Sequence, residues 1–417
     1  MHNLQLISFC VFLFLAWLCV NKLRFFRNSG MNNTLLLSLF SLKLLTGFFL
    51  GWFALEYVPF ANDYSKLHDQ GIAEKEILIN QPGEFISELF RSNYSNGRGG
   101  WFDSVGSYWN DLRNNLIVKL LAVLNIFSGN NYYSNSIFFN FFAFAGHMAL
   151  YRLFIKLYGT ANQRAIIIVV FLIPATLFFS SGIHKDSIIF SSLTMFFYLF
   201  HSITQEKANK GKLLTLFLLL AAITLFRNYV LIALIPAIAG YLLSKRLNIP
   251  TSWVFIGIYL FLFTLIFCLE RLSPQHSPLA VIAKKRTDFQ QLGKANTELP
   301  PFTFQPKLQS VISHFPEAFD HGFLRPYPGE GRHPLHKTAG VELALLWLAV
   351  LAGCWRLKGR PLQSFEWMMI CFCITGLLFI GYIVPNYGSI IRYRSLYLPI
   401  LTIPFIIRAF GRKHIKY

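Results

Sequence analysis

Residues 165–200 read AIIIVVFLIPATLFFSSGIHKDSIIFSSLTMFFYLF, two apolar runs joined by a hairpin at residues 180–186. The hairpin carries three titratable side chains, His184, Lys185 and Asp186, and no other charge interrupts either run. Each run is close to the length that a helix needs to cross a bilayer of about 30 Å. Ionisable groups beside hydrocarbon are costly, so they usually mark a site. This stretch therefore predicts a membrane protein with functional chemistry at the break between two spans.

The composition of the chain excludes an ordinary soluble domain. Of its 417 residues, 54% are hydrophobic and 14% are charged, and the mean hydropathy is +0.46. We predict an all-α polytopic membrane protein with about eleven transmembrane helices. The expected spans are residues 4–21, 34–55, 134–155, 165–181, 187–203, 212–226, 229–244, 251–269, 339–355, 366–384 and 392–410. Spans six and seven are short, so Arg227, Asn228 and Tyr229 either form a tight turn or break one longer helix.

Basic residues set the expected orientation. Clusters of Lys and Arg fall on every second connection, and such an excess of positive charge is typical of cytoplasmic loops. The clusters are Lys22, Arg24 and Arg27; Lys156 and Arg164; Lys207, Lys210 and Lys212; Lys245 and Arg246; Arg356, Lys358 and Arg360; and Arg408, Arg412, Lys413 and Lys416. This pattern predicts an N-terminus outside the cell membrane and a C-terminus in the cytoplasm.

The net charge of +19 has a membrane explanation. Such a charge is also typical of nucleic-acid binding, but here most of it forms the cytoplasmic collar, which suits anionic lipid headgroups. We expect membrane lipids as partners and no nucleic acid. A cleaved signal peptide is not expected, because three basic residues follow the first apolar segment and none precedes it.

Two long segments, residues 56–133 and 271–338, are expected on the outer face of a single integral membrane domain. The first ends in a run from Leu112 to Phe127 whose apolar residues recur at helical spacing, with Arg113 and Lys119 able to snorkel. This run predicts an interfacial helix that lies along the bilayer. The second segment is rich in proline, histidine and aromatic residues and predicts a compact loop region over the membrane.

Three short outward turns carry cations beside helix ends. They contribute His184 and Lys185; Arg227; and Arg392 and Arg394, of which one faces an interior cavity and the other faces lipid headgroups. Helices are expected to start after the first and third turns, with Ser181 and Ser389 as caps, so free N–H groups point outward. Cations beside helix N-termini favour a phosphate-binding site. The alternative is a solvated hairpin whose charges pair with each other.

Asp63 and Asp69 are the candidate catalytic carboxylates. Asp63 follows the second span by a few residues, near Lys66 and His68, which places it close to the headgroup plane. A carboxylate there is suited to act as general base on an incoming hydroxyl. The alternative is a turn former or a surface charge. The sequence has no Asp-x-Asp motif to support a metal, so we expect no metal or other cofactor; a divalent cation has no sequence support.

The layout resembles the GT-C superfamily of glycosyltransferases. These are multi-span proteins with a long first outward loop that bears an early Asp and is followed by an amphipathic helix. Residues 114–125, Tyr132, Tyr133, Tyr151 and Arg152 are similar to a segment of bacterial envelope-polysaccharide proteins, as are residues 174–186 and 386–394. The paired acidic signature that is usual in the first loop is not clear here, since Asp69 is only a loose second candidate.

The resemblance implies a glycosyltransferase of the bacterial cytoplasmic membrane that serves cell-surface polysaccharide assembly. The donor would be a sugar on a polyprenyl phosphate, and the acceptor a glycan or lipid on the outer face. Asp63 would take the place of the catalytic base. Two alternatives stay open: an O-antigen-type polymerase or ligase that relies on Arg and His, and a flippase or transporter of lipid-linked oligosaccharide. Transporters tend to keep charges within spans, and Lys43 is the clearest such charge here.

Overall fold

The computed structural model describes residues 2–57, 63–95, 97–103, 106–206, 208–273, 277–291, 297–300, 302–331, 333–356 and 361–411. Within these ranges the chain is helical, and its extended structure is limited to one isolated bridge between Glu298 and Asn386. An all-helical fold is what a bilayer demands of such apolar segments, because every backbone polar group must be satisfied within the segment itself.

The described chain forms twenty α-helices, together with a 3-10 turn at Thr160–Asn162 and a π-helical turn at Asp320–Leu324. The α-helices are α1 (His2–Lys22), α2 (Arg24–Arg27), α3 (Asn33–Tyr57), α4 (Asp63–Asn80), α5 (Pro82–Glu88), α6 (Tyr108–Ser128), α7 (Tyr132–Tyr158), α8 (Gln163–Phe171), α9 (Pro174–Phe179), α10 (Lys185–Gln205), α11 (Lys210–Phe226), α12 (Asn228–Arg246), α13 (Thr251–Leu272), α14 (Pro278–Gln291), α15 (Leu308–Ser313), α16 (Phe315–Phe319), α17 (Pro334–Trp355), α18 (Ser364–Ile383), α19 (Tyr387–Arg394) and α20 (Leu398–Phe410).

Eight of the described helices are long and apolar enough to cross a membrane: α1, α3, α7, α10, α12, α13, α17 and α18. Helices α19 and α20 make a ninth span if they are counted as one element bent by 63°. A multi-span membrane protein is therefore confirmed, and the exact number of eleven stays a prediction. Helix α11 has only 17 residues. It ends at Phe226, and α12 begins at Asn228, so Arg227 separates two helices.

The expected span at residues 165–181 is a broken helix. Helix α8 ends at Phe171 and α9 starts at Pro174, because a proline disfavours helical conformation in the residue before it. Glu342 of α17 accepts a hydrogen bond from the Ala175 N–H at the start of α9, at 3.0 Å. Lys43 of α3 donates to the carbonyl of Leu177 at its end, at 3.1 Å. An acceptor at the N-terminus and a donor at the C-terminus both satisfy backbone groups that a helix end leaves unpaired.

Helix α7 is the most buried of the candidate spans and packs against α1, α3, α6 and α10. Its interior face is polar as well as apolar: the Asn135 amide donates to Asn125 of α6 at 2.6 Å, and Asn140 donates to the Ser136 carbonyl at 2.8 Å. Gly47 lets α3 approach closely, since a Cβ there would lie 2.0 Å from the Asn140 amide. Side-chain hydrogen bonds and close packing of this kind hold helices together in lipid. The hydrophobic effect cannot do so there, because the lipid tails are as apolar as the helix surfaces.

Six α-helices and the π-helical turn lie in the two long segments expected on the outer face, where α17 also begins: α4, α5 and α6 in the first, and α14, α15, α16 and the turn in the second. Helix α6 covers the amphipathic run predicted from Leu112 to Phe127, and it begins at a Ser107 cap. The second segment is thus more helical than the expected compact loop. Helices α4 and α6 pack on each other, and α14 packs on α18.

The expected serine caps are wrong. Helix α10 has His184 at its N-cap, and α19 has Asn386, whose side chain accepts from the Ser389 N–H at 2.7 Å. The Ser181 hydroxyl instead donates to the Leu177 carbonyl at 2.7 Å, so Ser181 belongs to the end of α9 rather than to the start of α10. Asparagine is among the strongest N-cap residues, which explains the choice at α19.

Candidate functional site

A cavity of about 470 Å³ lies where the ends of α10, α12, α18 and α19 meet the amphipathic helices α4, α6 and α14. Among the residues that the structure describes, six cations line it: Lys66, Arg113, Lys185, Arg227, Lys285 and Arg392. No Asp or Glu of the described ranges lines it. Its volume falls in the range of ligand sites, roughly 300–1,000 Å³. A lining of this kind is suited to an anionic ligand.

Asp186 organises the inner side of this cavity. Its carboxylate is 8% exposed and accepts from two guanidinium groups, Arg227 on one oxygen and Arg392 on the other. Arg227 stands between α11 and α12, while Arg392 comes from α19, so the carboxylate ties three helix ends together. One carboxylate neutralises only one of the two arginines. We call Asp186, Arg227, Arg392, Lys185 and His184 the inner cluster.

His184 links the two ion pairs of the inner cluster. Its ring is fully buried; Nδ1 lies 3.0 Å from a carboxylate oxygen of Asp186, and Nε2 lies 2.6 Å from Nη2 of Arg392. Arg392 can only donate, so Nε2 must accept and Nδ1 must carry the proton. The neutral Nδ1–H tautomer then donates to Asp186. The Asp186 N–H also lies 3.1 Å from Nδ1, at the N-cap of α10.

The hairpin that carries this cluster is held by close local contacts. Gly182 has φ +74°, a left-handed conformation that side-chain-bearing residues rarely adopt. Its N–H donates to the Asn140 side chain of α7 at 3.2 Å. Ser180 accepts a hydrogen bond from the Lys43 amine at 2.6 Å. The hairpin is therefore a fixed, buried element and not a solvated loop.

Three further cations, Lys66, Arg113 and Lys285, reach the cavity from α4, α6 and α14, and we call them the outer cluster. Arg113 donates to the Trp101 carbonyl at 3.1 Å, and burial lowers its pKa. Burial and repulsion from Arg113 lower the pKa of Lys285 to about 8. The charged forms of Arg113 and Lys285 are therefore disfavoured in the empty cavity, and a bound anion would stabilise them.

The three consecutive basic residues of α14 have three different environments. The Lys284 amine is exposed and pairs with Asp103 at 2.6 Å, a contact that raises its pKa. Lys285 faces the cavity. Arg286 donates to the Tyr382 carbonyl at the end of α18, at 2.7 Å. Arg286 therefore anchors α14 on the membrane helices and positions Lys285.

One wall of the cavity is apolar. It is formed by Phe226, Phe289, Phe379, Ile380, Ile383 and Val384, most of them at the end of α18. Two tyrosines, Tyr229 and Tyr393, complete the lining, and the Arg227 guanidinium lies 4.2 Å from the centre of the Tyr393 ring. This cation–π contact adds to the forces that fix Arg227. The cavity can therefore receive a molecule that is both anionic and apolar.

Four of the residues predicted to bind phosphate, His184, Lys185, Arg227 and Arg392, come together at this cavity. Arg394, predicted for phosphate or lipid headgroups, lies elsewhere. It is buried and donates to the carbonyls of Gly322, at 3.3 Å, and Arg325, at 2.7 Å. Side chains two positions apart on a helix point in nearly opposite directions, so only one of Arg392 and Arg394 can face the cavity.

Of the two candidate carboxylates, the structure describes the side chain of one. Asp63 is the first residue of α4, but its side chain lies outside the described part of the chain. Asp69 is exposed and does not line the cavity, although Lys66 and Gln70 of the same helix do. Across the described ranges, no group of three His, Cys, Asp or Glu side chains is arranged to hold a metal ion.

Sequence reasoning did not assign the outer cluster to the site. Arg113 was interpreted as a snorkelling residue, and Lys285 as part of a loop. The available signal was that each lies on an amphipathic or polar segment next to a membrane span.

The chain has no match among protein-family models, curated proteins or solved structures. Its function therefore has to be argued from the chemistry of the cavity.

Proposed function

We propose that the protein is a GT-C-like glycosyltransferase of the bacterial cytoplasmic membrane, which transfers a sugar from a polyprenyl-phosphate donor to a glycan or lipid acceptor in cell-surface polysaccharide assembly. The proposal rests on one observation: six cations and an apolar wall line the same cavity. A lipid-linked sugar phosphate combines an anion with a hydrocarbon chain, as this lining requires. The wall on α18 would lead the chain from the bilayer to the cations.

The cations supply the chemistry that departure of a polyprenyl phosphate requires. As C1 of the sugar is attacked, the bond from C1 to the phosphate oxygen breaks and negative charge grows on the phosphate. Arginine and lysine donors that are already in place stabilise this charge more in the transition state than in the ground state. Asp186 has the role of a positioning residue here, because it fixes Arg227 and Arg392 before the substrate arrives.

The general base is proposed to be Asp63. In the sequence it stands three residues before Lys66 and seven before Gln70, which is the spacing of one helix face, and both of these line the cavity. A base at this position would take the proton of the acceptor hydroxyl as the hydroxyl oxygen attacks C1.

The proposed orientation, with the N-terminus outside and the C-terminus in the cytoplasm, agrees with the position of the cavity. Its lining residues stand at the helix ends opposite to those that carry the basic collar: α10 begins at Lys185, and α18 ends at Ile383, next to the cavity. Transfer would then occur on the outer face.

The test is transfer of a radiolabelled sugar from polyprenyl phosphate to membrane glycolipid by the purified protein in lipid nanodiscs, with each common sugar tried in turn. Asp63→Asn and Lys185→Ala should each lower kcat by 10²-fold or more, about the size of a general-base effect. Lys284→Ala is the matched control, since Lys284 neighbours the cavity without lining it, and it should retain full activity. Full transfer by both Asp63→Asn and Lys185→Ala would show that the assigned site is wrong.

A second candidate is an O-antigen-type polymerase or ligase, which joins whole glycans with Arg and His in place of an acidic base. The lack of Asp and Glu among the described lining residues, beside His184 and three arginines, favours it. It predicts that Asp63→Asn keeps its activity while Arg392→Gln loses it, with a lipid-linked oligosaccharide as substrate. The same nanodisc assay with both donor types separates the two enzymes.

A further inference from the structure

We propose that Gln70, Asn110 and Asn114 are specificity-determining residues that bind the hydroxyl groups of the donor sugar. This inference rests on the proposed function and specifies how the same cavity selects its substrate. It comes from the amphipathic helices α4 and α6, which present three side-chain amides to the cavity. We call these three residues the amide face.

The packing of two helices brings the amide face together. On α6, Asn114 comes four residues after Asn110, so both lie on the same side of that helix. On α4, Gln70 directly precedes Gly71. Helices α4 and α6 pack on each other, and Gly71 permits a close approach, because a Cβ there would lie 2.6 Å from the Leu121 Cβ. The amides of both helices therefore line one cavity.

The side chains of the amide face are available to a ligand. In the described part of the chain, none of the three makes a hydrogen bond to the protein. Asn115, the residue of α6 that follows the last of them, shows the contrast. Its amide donates to the carbonyls of Glu88, at 3.2 Å, and Arg91, at 3.0 Å. The amide of Asn115 thus holds the fold together, whereas the amide face is not used for that purpose.

Amides suit the hydroxyls of a sugar better than they suit a phosphate. Each side-chain amide offers two N–H donors and a carbonyl oxygen that accepts, and a hydroxyl likewise both donates and accepts. A phosphodiester can only accept, so it would leave the amide oxygens without a donor. The cations of the cavity therefore match the phosphate of the donor, and the amide face matches the sugar ring.

The amide face is linked to the inner cluster through one backbone carbonyl. The carbonyl of Trp101 accepts from Arg113 of α6, at 3.1 Å, and from Asn228, the first residue of α12, at 2.6 Å. Arg227 of the inner cluster directly precedes Asn228. The donor sugar is bonded directly to its phosphate. A phosphate at the inner cluster would therefore place the ring in the same cavity of about 470 Å³ that the amide face lines.

The experiment measures binding of two polyprenyl phosphodiesters to the full chain in nanodiscs. One carries a neutral hexose, with glucose, galactose and mannose tried in turn, and the other carries an ethyl group, so the two lipids have the same charge. The tightest-binding hexose lipid should exceed the ethyl lipid by about tenfold in affinity. Gln70→Ala, Asn110→Ala and Asn114→Ala should each weaken that hexose lipid by roughly two- to tenfold, the value of one hydrogen bond. The ethyl lipid should bind all three variants as it binds the wild type.

Gln290→Ala is the matched control. Gln290 is an exposed glutamine of α14 that does not line the cavity, so its loss should leave the binding of both lipids unchanged. Melting curves of the three amide variants should show no loss of stability, because alanine is a stronger helix former than glutamine or asparagine.

Equal losses for the hexose and ethyl lipids, or no loss for either, would overturn the inference. A loss that appears only in transfer, with donor binding intact, would also overturn it, because the amide face would then serve the acceptor. The proposed function fails in a different way. Selective loss of hexose binding in a protein that transfers no sugar would keep the amide face and remove the glycosyltransferase, whereas wild-type transfer and donor binding in all three variants would do the reverse.

Discussion

Two buried groups of charge in this protein are built on opposite plans. In the first, Asp186 accepts from both Arg227 and Arg392 beside a cavity that six cations of the described residues line. In the second, Glu366 receives two hydrogen bonds from Arg408, at 2.7 and 2.8 Å, and the charges cancel. The second pair is closed further by the Tyr158 hydroxyl, 3.0 Å from Glu366.

The two groups also stand at different ends of the bundle. Glu366 is near the start of α18 and Ile383 is its last residue, at the cavity, which separates them by about 25 Å along the helix. The Glu366–Arg408 pair lies on the side of the basic collar, and the inner cluster lies on the other side. The Glu366–Arg408 pair is closed by its own partners. The inner cluster borders the cavity and is the group that we propose to bind a ligand.

The largest expected effect is a loss of stability when the Glu366–Arg408 pair is broken. Glu366→Gln removes the carboxylate that receives two hydrogen bonds from buried Arg408 and should lower the free energy of unfolding by about 3–5 kcal/mol. Thermal unfolding of the detergent-solubilised protein measures the loss. The anion affinity of the folded fraction should not change. A double variant, Glu366→Leu with Arg408→Met, should recover most of the stability, and failure to recover would mean that the pair does more than cancel its own charge.

A smaller effect is expected at the inner cluster, and it concerns ligand affinity rather than stability. Arg392→Gln should weaken binding of a polyprenyl phosphate analogue by about 1.5–3 kcal/mol, roughly 10- to 150-fold, the value of a charge-assisted hydrogen bond. Stability should change little, because Asp186 keeps Arg227. Fluorescence binding in nanodiscs and a melting curve on the same sample provide the two readouts. If stability falls and affinity does not, Arg392 is structural and the contrast with Glu366 disappears.

The smallest expected effect is a pH dependence that belongs to the outer cluster. The pKa of Lys285 is lowered to about 8, and a bound anion would raise it again. The lysine is then charged below pH 8 and neutral above it in the empty site, so affinity should fall as the pH rises. Between pH 7 and pH 9 the loss should be about tenfold for a phosphodiester, which does not titrate in this range.

Two variants sharpen this pH test. Lys285→Arg keeps its charge and should flatten the profile, while Lys284→Ala should leave the slope as it is, because Lys284 pairs with Asp103 and does not face the cavity. A slope that survives in Lys285→Arg would assign the titration to another group.

The sequence was sufficient to predict the multi-span helical class and the convergence of four site residues. Apolar length predicts the spans, and the basic collar predicts which helix ends share a face, so His184, Lys185, Arg227 and Arg392 could be grouped without a structure. Pro174 is a sequence signal for the break between α8 and α9. Because apolar residues continue on both sides of it, the sequence predicts a single unbroken span there. The span number and the orientation remain predictions.

The remainder depends on contacts between residues that are far apart in the sequence. Arg113 and Lys285 are on different helices, and their approach follows from how α6 and α14 pack over the bundle. The role of Asp186 as a shared counter-ion also needs three dimensions, since its partners Arg227 and Arg392 lie 41 and 206 residues away. Neither relation leaves a periodic pattern in the sequence.

The short helix α9 has a consequence for how the protein is made. Lys43, 1% exposed, has its hydrogen bonds with Leu177 and Ser180, and Ser180 is 137 residues further along the chain. A lysine near the centre of an inserting helix costs about 2.5–3.5 kcal/mol on the translocon scale. The hydrogen bonds of Lys43 with Leu177 and Ser180 therefore cannot form until α9 has been synthesised. The N-terminal helices of this protein cannot complete their assembly before the ribosome has passed the hairpin.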